Sequence, residues 1–342
     1  MHLRHTSDDG AGIARVRRGQ RFSYVSPSGR PVRDAATLAR IRSLAIPPAW
    51  IRVWISPDPS GHIQATGRDA RGRKQDRYHE AWRRSRDEAK YHRFVQFCAA
   101  LPRLRAAVER DLAAPSLSKA KVLATVLSLM ERAQLRVGNE EYARTNGSFG
   151  ATTLRGRHAH VHGDTLELAY RGKSGVARRV RVTDKRLARI VRRCRDLPGQ
   201  RLFQYIDGDA VHPIASTDVN EYIRAATGGP FTAKDYRTWA ATIGAAILLC
   251  QLEHPGSERG CKRCIKEVLD AVSTQLGHTP SVCRASYIHP RLLEDFAADR
   301  LAPLGRSLVR RVAEPSLDVE ALRAAEPIVA RYLDTARIRR RA

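Results

Sequence analysis

The sequence predicts an α+β protein in which a small antiparallel sheet precedes a larger, mostly helical part. Three observations indicate this class. Short segments of period-2 hydrophobicity, broken by Pro and Gly clusters, fill residues 19–66; segments with apolar residues at helical spacing dominate after residue 95; and a three-stranded meander interrupts them near residues 158–182. We expect two domains, residues 1–95 and 96–342, because 342 residues are enough for each to bury its own core.

The first domain is predicted from its turns. Clusters of Pro, Ser, Asp and Gly at 27–29 and 57–61 separate short alternating segments, which favours antiparallel pairing. We expect strands at 21–25, 50–56 and 62–66, a short helix at 34–44, and a polar helix at 80–93 that ends near the domain boundary.

The second domain is predicted to be helical around its meander. Ser118 can cap a helix whose apolar residues recur with period 3.6 and which delivers Arg136 at its C-terminal end. In the meander, the turn at 172–175 is of the hairpin type and places Lys173 at a mobile tip. Further helices are expected at 184–195, 217–226, 233–252, 264–276, 290–300 and 318–339, with a loop at 253–264.

The charge of the chain indicates a polyanionic partner. Lys and Arg total 61 against 35 acidic residues, which gives a formal net charge of +26. Only nine of these cations are Lys, and Arg grips phosphate with a planar, bidentate fork. The sequence has no apolar run of about 18 residues, so we expect no membrane partner. With no secretory signal at the N-terminus, the expected location is the cytoplasm.

A basic stretch follows the last predicted strand of the first domain. It places five cations and a tyrosine within eleven residues: Arg68, Arg71, Arg73, Lys74, Arg77 and Tyr78. Interleaved Gly and polar residues suit contacts to a phosphate backbone, so we interpret the stretch as a DNA-facing edge. The alternative is a solvated charged face.

Other motifs point to no cofactor or metal. Gly172-Lys173-Ser174 lacks the upstream Gly and the following helix of a phosphate-binding loop. His158, His160 and His162 alternate along one predicted strand face, with no carboxylate nearby in sequence, and we interpret them as a polar face. The six cysteines are expected to be free thiols, with a zinc site at Cys261 and Cys264 as the less favoured alternative.

Five separated residues carry the functional prediction: Arg136, Lys173, Arg237, His278 and Tyr287. With the segments around them, the chain resembles type IB DNA topoisomerases of the bacterial and poxvirus kind. The likeness spans both predicted domains, since it also includes residues 46–50, 64–69, 72–75, 77–79, 146–150 and 152–155.

The resemblance implies a reaction and a role for each residue. Tyr287 would attack a backbone phosphodiester to give a 3′-phosphotyrosine, Arg136 and Arg237 would hold the non-bridging oxygens, and His278 would donate to the same phosphate. Lys173 would protonate the leaving 5′ oxygen. No ATP, metal or cofactor is implied. The expected partner is double-stranded DNA of the bacterial nucleoid, held by a monomeric, bilobed clamp, with Lys234, Asn139 and Tyr142 as further DNA contacts.

Two alternatives remain at this point. Tyrosine recombinases share the spacing of His278 and Tyr287, but they typically have His where this chain has Lys234, and their N-terminal domain is helical. A non-enzymatic architectural protein would use the positive charge alone. Two positions depart from parts of the family: many bacterial relatives have Asn at the position of His278, and poxvirus enzymes have Lys at that of Asn139.

Overall fold

The computed structural model describes residues 3–70, 72–312 and 314–339. It confirms the α+β class, with an N-terminal antiparallel sheet and a helical remainder that contains a three-stranded sheet. The chain divides into two compact units, Met1–His92 and Arg93–Ala342. Among the described residues, no helix is both long and apolar enough to cross a membrane.

A five-stranded antiparallel sheet with strand order β2-β1-β3-β4-β5 forms the first unit. Its strands are β1 Ile13–Arg18, β2 Arg21–Val25, β3 Ile51–Ile55, β4 Ile63–Arg68 and β5 Lys74–Tyr78. Helix α1 (Ala35–Ser43) begins where the Asp34 carboxylate accepts a hydrogen bond from Thr37 N at 2.7 Å. Apolar residues of the sheet and of α1 form a small core: Ile13, Ile41, Val53, Ile55 and Ala65.

The sequence did not predict β1 and β5. β1 carries arginines at three of its six positions, and β5 (Lys-Gln-Asp-Arg-Tyr) is polar on both faces, so neither shows apolar alternation. β5 is an edge strand, where polar side chains on both faces are tolerated. The basic stretch expected to be an edge of the first domain therefore includes the last strand of this sheet.

The next helix is longer than predicted. Helix α2 runs from Glu80 to Leu112, so the expected end at residue 93 is wrong. The apolar residues Phe94, Phe97, Leu101 and Leu104 continue the helical period and are buried. The division between the two units therefore falls within α2.

Helices and two small sheets make up the second unit. The helices after α2 are α3 Lys119–Ala133, α4 Glu140–Asn146, α5 Lys185–Arg195, α6 Ser216–Thr227, α7 Ala233–Leu249, α8 Glu258–Leu276, α9 Pro280–Ser286, α10 Pro290–Ala297, α11 Ala302–Val309 and α12 Val319–Arg339. Their apolar faces share one core, in which Trp239 is fully buried.

The predicted meander is present as β6 (Ala159–His162), β7 (Thr165–Arg171) and β8 (Ala177–Thr183), paired in that order. His158 does not share a strand face with His160 and His162, contrary to the prediction. It ends a 3₁₀ turn, is buried, and its Nδ1 accepts a hydrogen bond from Arg155 N at 3.0 Å. The imidazole also packs edge-on against Phe149.

Further elements differ from the prediction. The hairpin of β9 (Gln204–Asp207) and β10 (Ala210–Pro213) and the helices α4, α9 and α11 were not predicted; each is short, and β9 and β10 lack strong alternation. The loop expected at 253–264 ends at residue 257, and the remaining residues belong to α8. The Ser257 hydroxyl accepts a hydrogen bond from Gly260 N and starts α8 at Glu258.

Candidate active site

Arg136 lies just beyond the C-terminal end of α3. Gln134, in the left-handed conformation with φ of 51°, ends that helix and redirects the chain. The Arg136 guanidinium is partly buried, and its Nη2 donates to the carbonyl oxygen of Gly277 at 3.1 Å. The same nitrogen lies 3.0 Å from Nδ1 of His278. The end of α3 therefore places one cation against the turn that follows α8.

Arg237 comes from the second turn of α7 and is only 5% exposed. Its Nη1 donates to Gln134 O at 2.9 Å and its Nη2 to Leu276 O at 2.6 Å. These carbonyls fix the plane of the guanidinium, while Nη2 also lies 2.6 Å from Nε2 of His278. Burial, and then the positive charge of Arg136, lowers the pKa of Arg237 to about 10. The guanidinium therefore stays charged at neutral pH.

His278 is presented by the C-terminal turn of α8. Gly277, with φ of +65°, adopts the left-handed conformation that ends the helix, and His278 N donates back to Ser273 O at 2.9 Å. The imidazole lies between the two guanidinium groups. Burial and the charges of Arg237 and Arg136 lower its pKa to about 3. His278 is therefore neutral at physiological pH.

Tyr287 ends the short helix α9 and is partly buried. Its backbone is held from α7, because the Thr242 hydroxyl donates to Tyr287 O at 3.0 Å. The phenol ring packs on the imidazole of His278 with ring centroids 4.5 Å apart, and the Arg237 Cζ lies 5.7 Å from its centroid. The phenol ring therefore lies against the imidazole of His278 and beside the guanidinium of Arg237.

Lys173 is exposed in the tight turn between β7 and β8, where Ser174 has a φ of 63°. It lines the same cleft as Arg136 and Arg237, and its positive charge contributes to the lowered pKa of His278. The full lining of the cleft is Gln134, Arg136, Phe149, Tyr170, Gly172, Lys173, Val176, Arg178, Arg237, Leu276 and Gly277. The structure thus brings together the five residues that the sequence separates by up to 151 positions, from Arg136 to Tyr287.

A third arginine of this cleft, Arg178 on β8, was not among the predicted site residues. Its Nη1 and Nη2 donate to the carbonyl oxygens of Thr274 and Gln275, at 3.2 and 2.9 Å. A signal was present in the sequence, because Arg178 alternates in phase with Val180 and Val182 on the inward face of β8. An arginine in that phase needs polar partners, which the end of α8 supplies.

Comparisons with known proteins agree with this geometry. Residues 79–302 match the family model described as the eukaryotic DNA topoisomerase I catalytic core, and residues 21–69 match that of the bacterial DNA topoisomerase IB N-terminal domain. A DNA topoisomerase 1B of Acanthamoeba polyphaga mimivirus is 33% identical over 291 residues, which cover 83% of this chain and 87% of that protein. The chain belongs to the type IB DNA topoisomerase family.

Membership in this family makes the chain an isomerase that acts on DNA. It also decides between the alternatives left open by the sequence, since neither a tyrosine recombinase nor a non-enzymatic architectural protein is the family matched. Segments of the likeness noted in the sequence lie inside both matched regions: residues 46–50 and 64–69 in the first, and residues 146–150 and 152–155 in the second.

The topoisomerase carries the predicted DNA contacts of its first unit on and beside β5. Most already have partners within the chain: Arg68 donates to Gly72 O, Arg73 pairs with Asp69, and Lys74 pairs with Asp8 at 2.8 Å. Arg77 lies over the Trp50 ring and donates to Ala45 O. Tyr78 is 39% exposed, and Arg71 lies outside the described residues.

The remaining predicted contacts lie in the second unit. Lys234 is exposed in the first turn of α7, three residues before Arg237. Asn139 is the N-cap of α4, where its side chain accepts from Tyr142 N at 3.0 Å. Tyr142 is 50% exposed. Asn139 therefore has a local structural role, while Lys234 and Tyr142 present their side chains to solvent.

The cysteines are free thiols, as expected. Cys261 and Cys264 both lie within α8, and Sγ of Cys261 is 3.2 Å from Nε2 of His254. In the part of the chain that the structure describes, no three His, Cys, Asp or Glu side chains are grouped so that they could hold a metal ion. The zinc alternative at this pair therefore lacks a ligand set.

Proposed function

We propose that this chain relaxes positive and negative supercoils by nicking one DNA strand through a 3′-phosphotyrosine intermediate, allowing strand rotation, and resealing the nick. The observation that carries the proposal is the packing of Tyr287 on His278, which two guanidinium groups contact. A phosphodiester that enters this cluster would meet a nucleophile and three hydrogen-bond donors.

In the first half of the reaction, the Tyr287 hydroxyl loses its proton to solvent, its oxygen bonds to phosphorus, and the bond from phosphorus to the 5′ oxygen breaks. Arg136 and Arg237 stabilise the charge that grows on the non-bridging oxygens. Lys173 transfers a proton to the departing 5′ oxygen and so acts as general acid. Religation reverses these steps, because the phosphotyrosine retains the energy of the broken bond. ATP is therefore not required, and the arginines supply the positive charge that a metal ion provides in other phosphoryl-transfer enzymes.

His278 contributes as a neutral group. A neutral imidazole carries one N–H donor and one acceptor nitrogen. Nε2 accepts from Arg237, so the proton lies on Nδ1. That N–H can donate to a phosphate oxygen once the phosphate draws Arg136 Nη2, now 3.0 Å from Nδ1, onto itself. The His278 pKa of about 3 makes the imidazole a poor general acid at neutral pH. This supports assigning the proton transfer to Lys173.

The likeness to the family supports a separate role for each of the two domains. Residues 1–95 would grip DNA through the basic stretch at β5, and residues 96–342 would carry out the chemistry, as two halves of a clamp on duplex DNA. We propose that the enzyme acts as a monomer on the nucleoid. Lys234, Tyr142 and the cations of β5 would contact phosphates, while Asn139 in place of a lysine argues against a strong sequence preference.

The test is a relaxation assay on supercoiled plasmid without ATP and with EDTA, combined with denaturant trapping and sequencing of the 3′ ends of the covalent complex. We expect the wild type to relax the plasmid and to form a complex with Tyr287. Tyr287→Phe should bind DNA, but it should neither relax the plasmid nor form the covalent complex. Tyr205→Phe, outside the cleft, is the matched control. Relaxation that persists in Tyr287→Phe would refute the mechanism.

A further inference from the structure

Arg178 connects the two parts of the cleft that carry Lys173 and His278. It follows the lysine turn on β8 and is paired across the sheet with Tyr170 on β7. Burial raises the pKa of the Tyr170 hydroxyl, and the nearby positive charge of Arg178 opposes the rise. The arginine is therefore anchored at its base within the same hairpin that presents Lys173.

The stem of Arg178 packs on the residue that precedes Lys173. A Cβ placed on Gly172 would lie 3.2 Å from Cγ of Arg178, which is tight contact. The Gly172 N–H also donates to Val176 O at 2.7 Å and closes the turn. The backbone of the lysine turn therefore rests on the aliphatic part of this side chain.

The head of Arg178 packs on the residue that precedes His278. A Cβ on Gly277 would lie 3.0 Å from Nη1 of Arg178 and 3.3 Å from its Cζ. The guanidinium donates to Thr274 O and Gln275 O, carbonyls in the last turn of α8. A cation at this end of a helix is also favoured by the helix dipole. One side chain thus spans from the lysine turn to the histidine turn.

We propose that Arg178 is a positioning residue that couples the Lys173 turn to the Gly277–His278 turn and so holds the general acid against the leaving oxygen. This inference rests on the proposed role of Lys173. Both terminal nitrogens of Arg178 are engaged by carbonyls of α8. Displacing a catalytic group by about 1 Å costs on the order of 10²-fold in rate, so loss of this contact should lower the rate of cleavage.

The experiment uses single-turnover cleavage of a duplex at the position mapped by the trapped complex, with either oxygen or sulfur as the 5′ bridging atom. A thiolate leaves without a proton because the pKa of a thiol is about 8.5, so the sulfur substrate bypasses a general acid. Arg178→Ala should cleave the oxygen substrate about 10- to 100-fold more slowly than the wild type, and the sulfur substrate within about threefold of it. Arg178→Lys, which cannot span two carbonyls, should behave like Arg178→Ala.

Arg179→Ala is the matched control, since Arg179 is the adjacent residue on β8 and pairs with Glu167 on the exposed face. It should cleave both substrates like the wild type. Two outcomes would refute the coupling. In one, Arg178→Ala cleaves the sulfur substrate slowly although Lys173→Ala cleaves that substrate at the wild-type rate. In the other, Arg178→Ala cleaves the oxygen substrate at the wild-type rate.

Lys173→Ala separates the inference from the proposed function. If sulfur fails to restore Lys173→Ala, the general-acid assignment fails. The double variant Lys173→Ala/Arg178→Ala then tests the coupling. If Arg178 acts only through Lys173, the double variant should cleave at the same rate as Lys173→Ala. Rate losses that add up in the double variant would refute the coupling.

Discussion

At the scale of single residues, the site depends on a histidine kept neutral by its surroundings. His278 lies between two guanidinium groups, and Arg237 itself is buried with its fork on two main-chain carbonyls. A side chain that is held so tightly is pre-organised, because little reorganisation is needed when charge develops on a phosphate. The geometry of each guanidinium should therefore matter as much as its charge.

Arg237→Lys tests whether geometry matters at this position. A lysine keeps the positive charge but cannot donate to Gln134 O, Leu276 O and a phosphate together. We expect single-turnover cleavage to slow by about 10²- to 10³-fold, the loss typical of removing one pre-organised donor. Arg224→Lys, on the exposed face of α6, should cleave normally. Equal rates for Arg237→Lys and the wild type would show that charge alone suffices.

His278→Asn tests the neutral state of the imidazole through the pH dependence of stability. The pKa of His278 is about 3 in the folded chain against an ordinary 6.5, so between these values the unfolded chain binds a proton that the folded chain does not. The contribution of the neutral His278 to the free energy of unfolding is therefore fully present above pH 6.5. It falls as the pH drops below 6.5, by at most about 1.4 kcal/mol per pH unit. Asn keeps a donor and an acceptor without titrating.

Urea unfolding at pH 7.5 and pH 5.0 measures this difference. The wild type should lose more unfolding free energy between the two pH values than His278→Asn does, because all other titrating groups are shared. An identical loss in both proteins would contradict a lowered pKa at His278.

At the scale of secondary-structure elements, a buried ionic network fixes four helices of the second unit. Glu326 on α12 accepts from Arg105 on α2 at 2.6 Å and from the indole N–H of Trp239 on α7 at 2.8 Å. Glu131 on α3 accepts from Arg105 and from Arg323 of α12. Both carboxylates are almost fully buried. Since α7 carries Arg237 and α3 leads to Arg136, this network supports the scaffold of the site.

Glu326→Ala should therefore destabilise the protein strongly. Removing one partner of a buried charge pair typically costs about 3–5 kcal/mol, because the remaining charge loses its compensation. Glu320→Ala on the same helix is the matched control: Glu320 is 71% exposed and pairs with Arg132 at 3.5 Å, so its loss should cost less than about 1 kcal/mol. Chemical denaturation measures both, and comparable losses would show that the network contributes little.

At the scale of the whole molecule, the net charge of +26 should dominate binding to DNA. A protein that makes about six to ten phosphate contacts loses roughly 10³- to 10⁵-fold in affinity between about 50 and 200 mM salt. We expect a loss in this range. Lys234→Ala should reduce the slope of log K against log salt by about one. Lys266→Ala, whose ammonium pairs with Asp270 on the outer face of α8, should leave the slope unchanged; equal slopes for all three proteins would remove Lys234 from the interface.

The sequence was sufficient for the features that local physics determines. Alternation and turn residues predicted β2, β3 and β4, and period-3.6 patterns with capping residues such as Ser118 predicted most helices. It was insufficient where tertiary contacts override weak local signals. The polar strand β5 forms because β4 offers it a pairing edge, and α2 continues past residue 93 because the core receives Phe94 and Phe97.

The sequence by itself determined the class of fold, the basic character of the chain and the five residues that indicated its family. Residue types, their order and the segments that flank them are enough for this, because the resemblance to the family rests on these features. Only the tertiary structure decided that His278 is neutral, that Arg237 is locked on two carbonyls and that Arg178 spans the cleft. Such properties depend on burial and on distances between residues far apart in the chain, which spacing along the sequence does not encode.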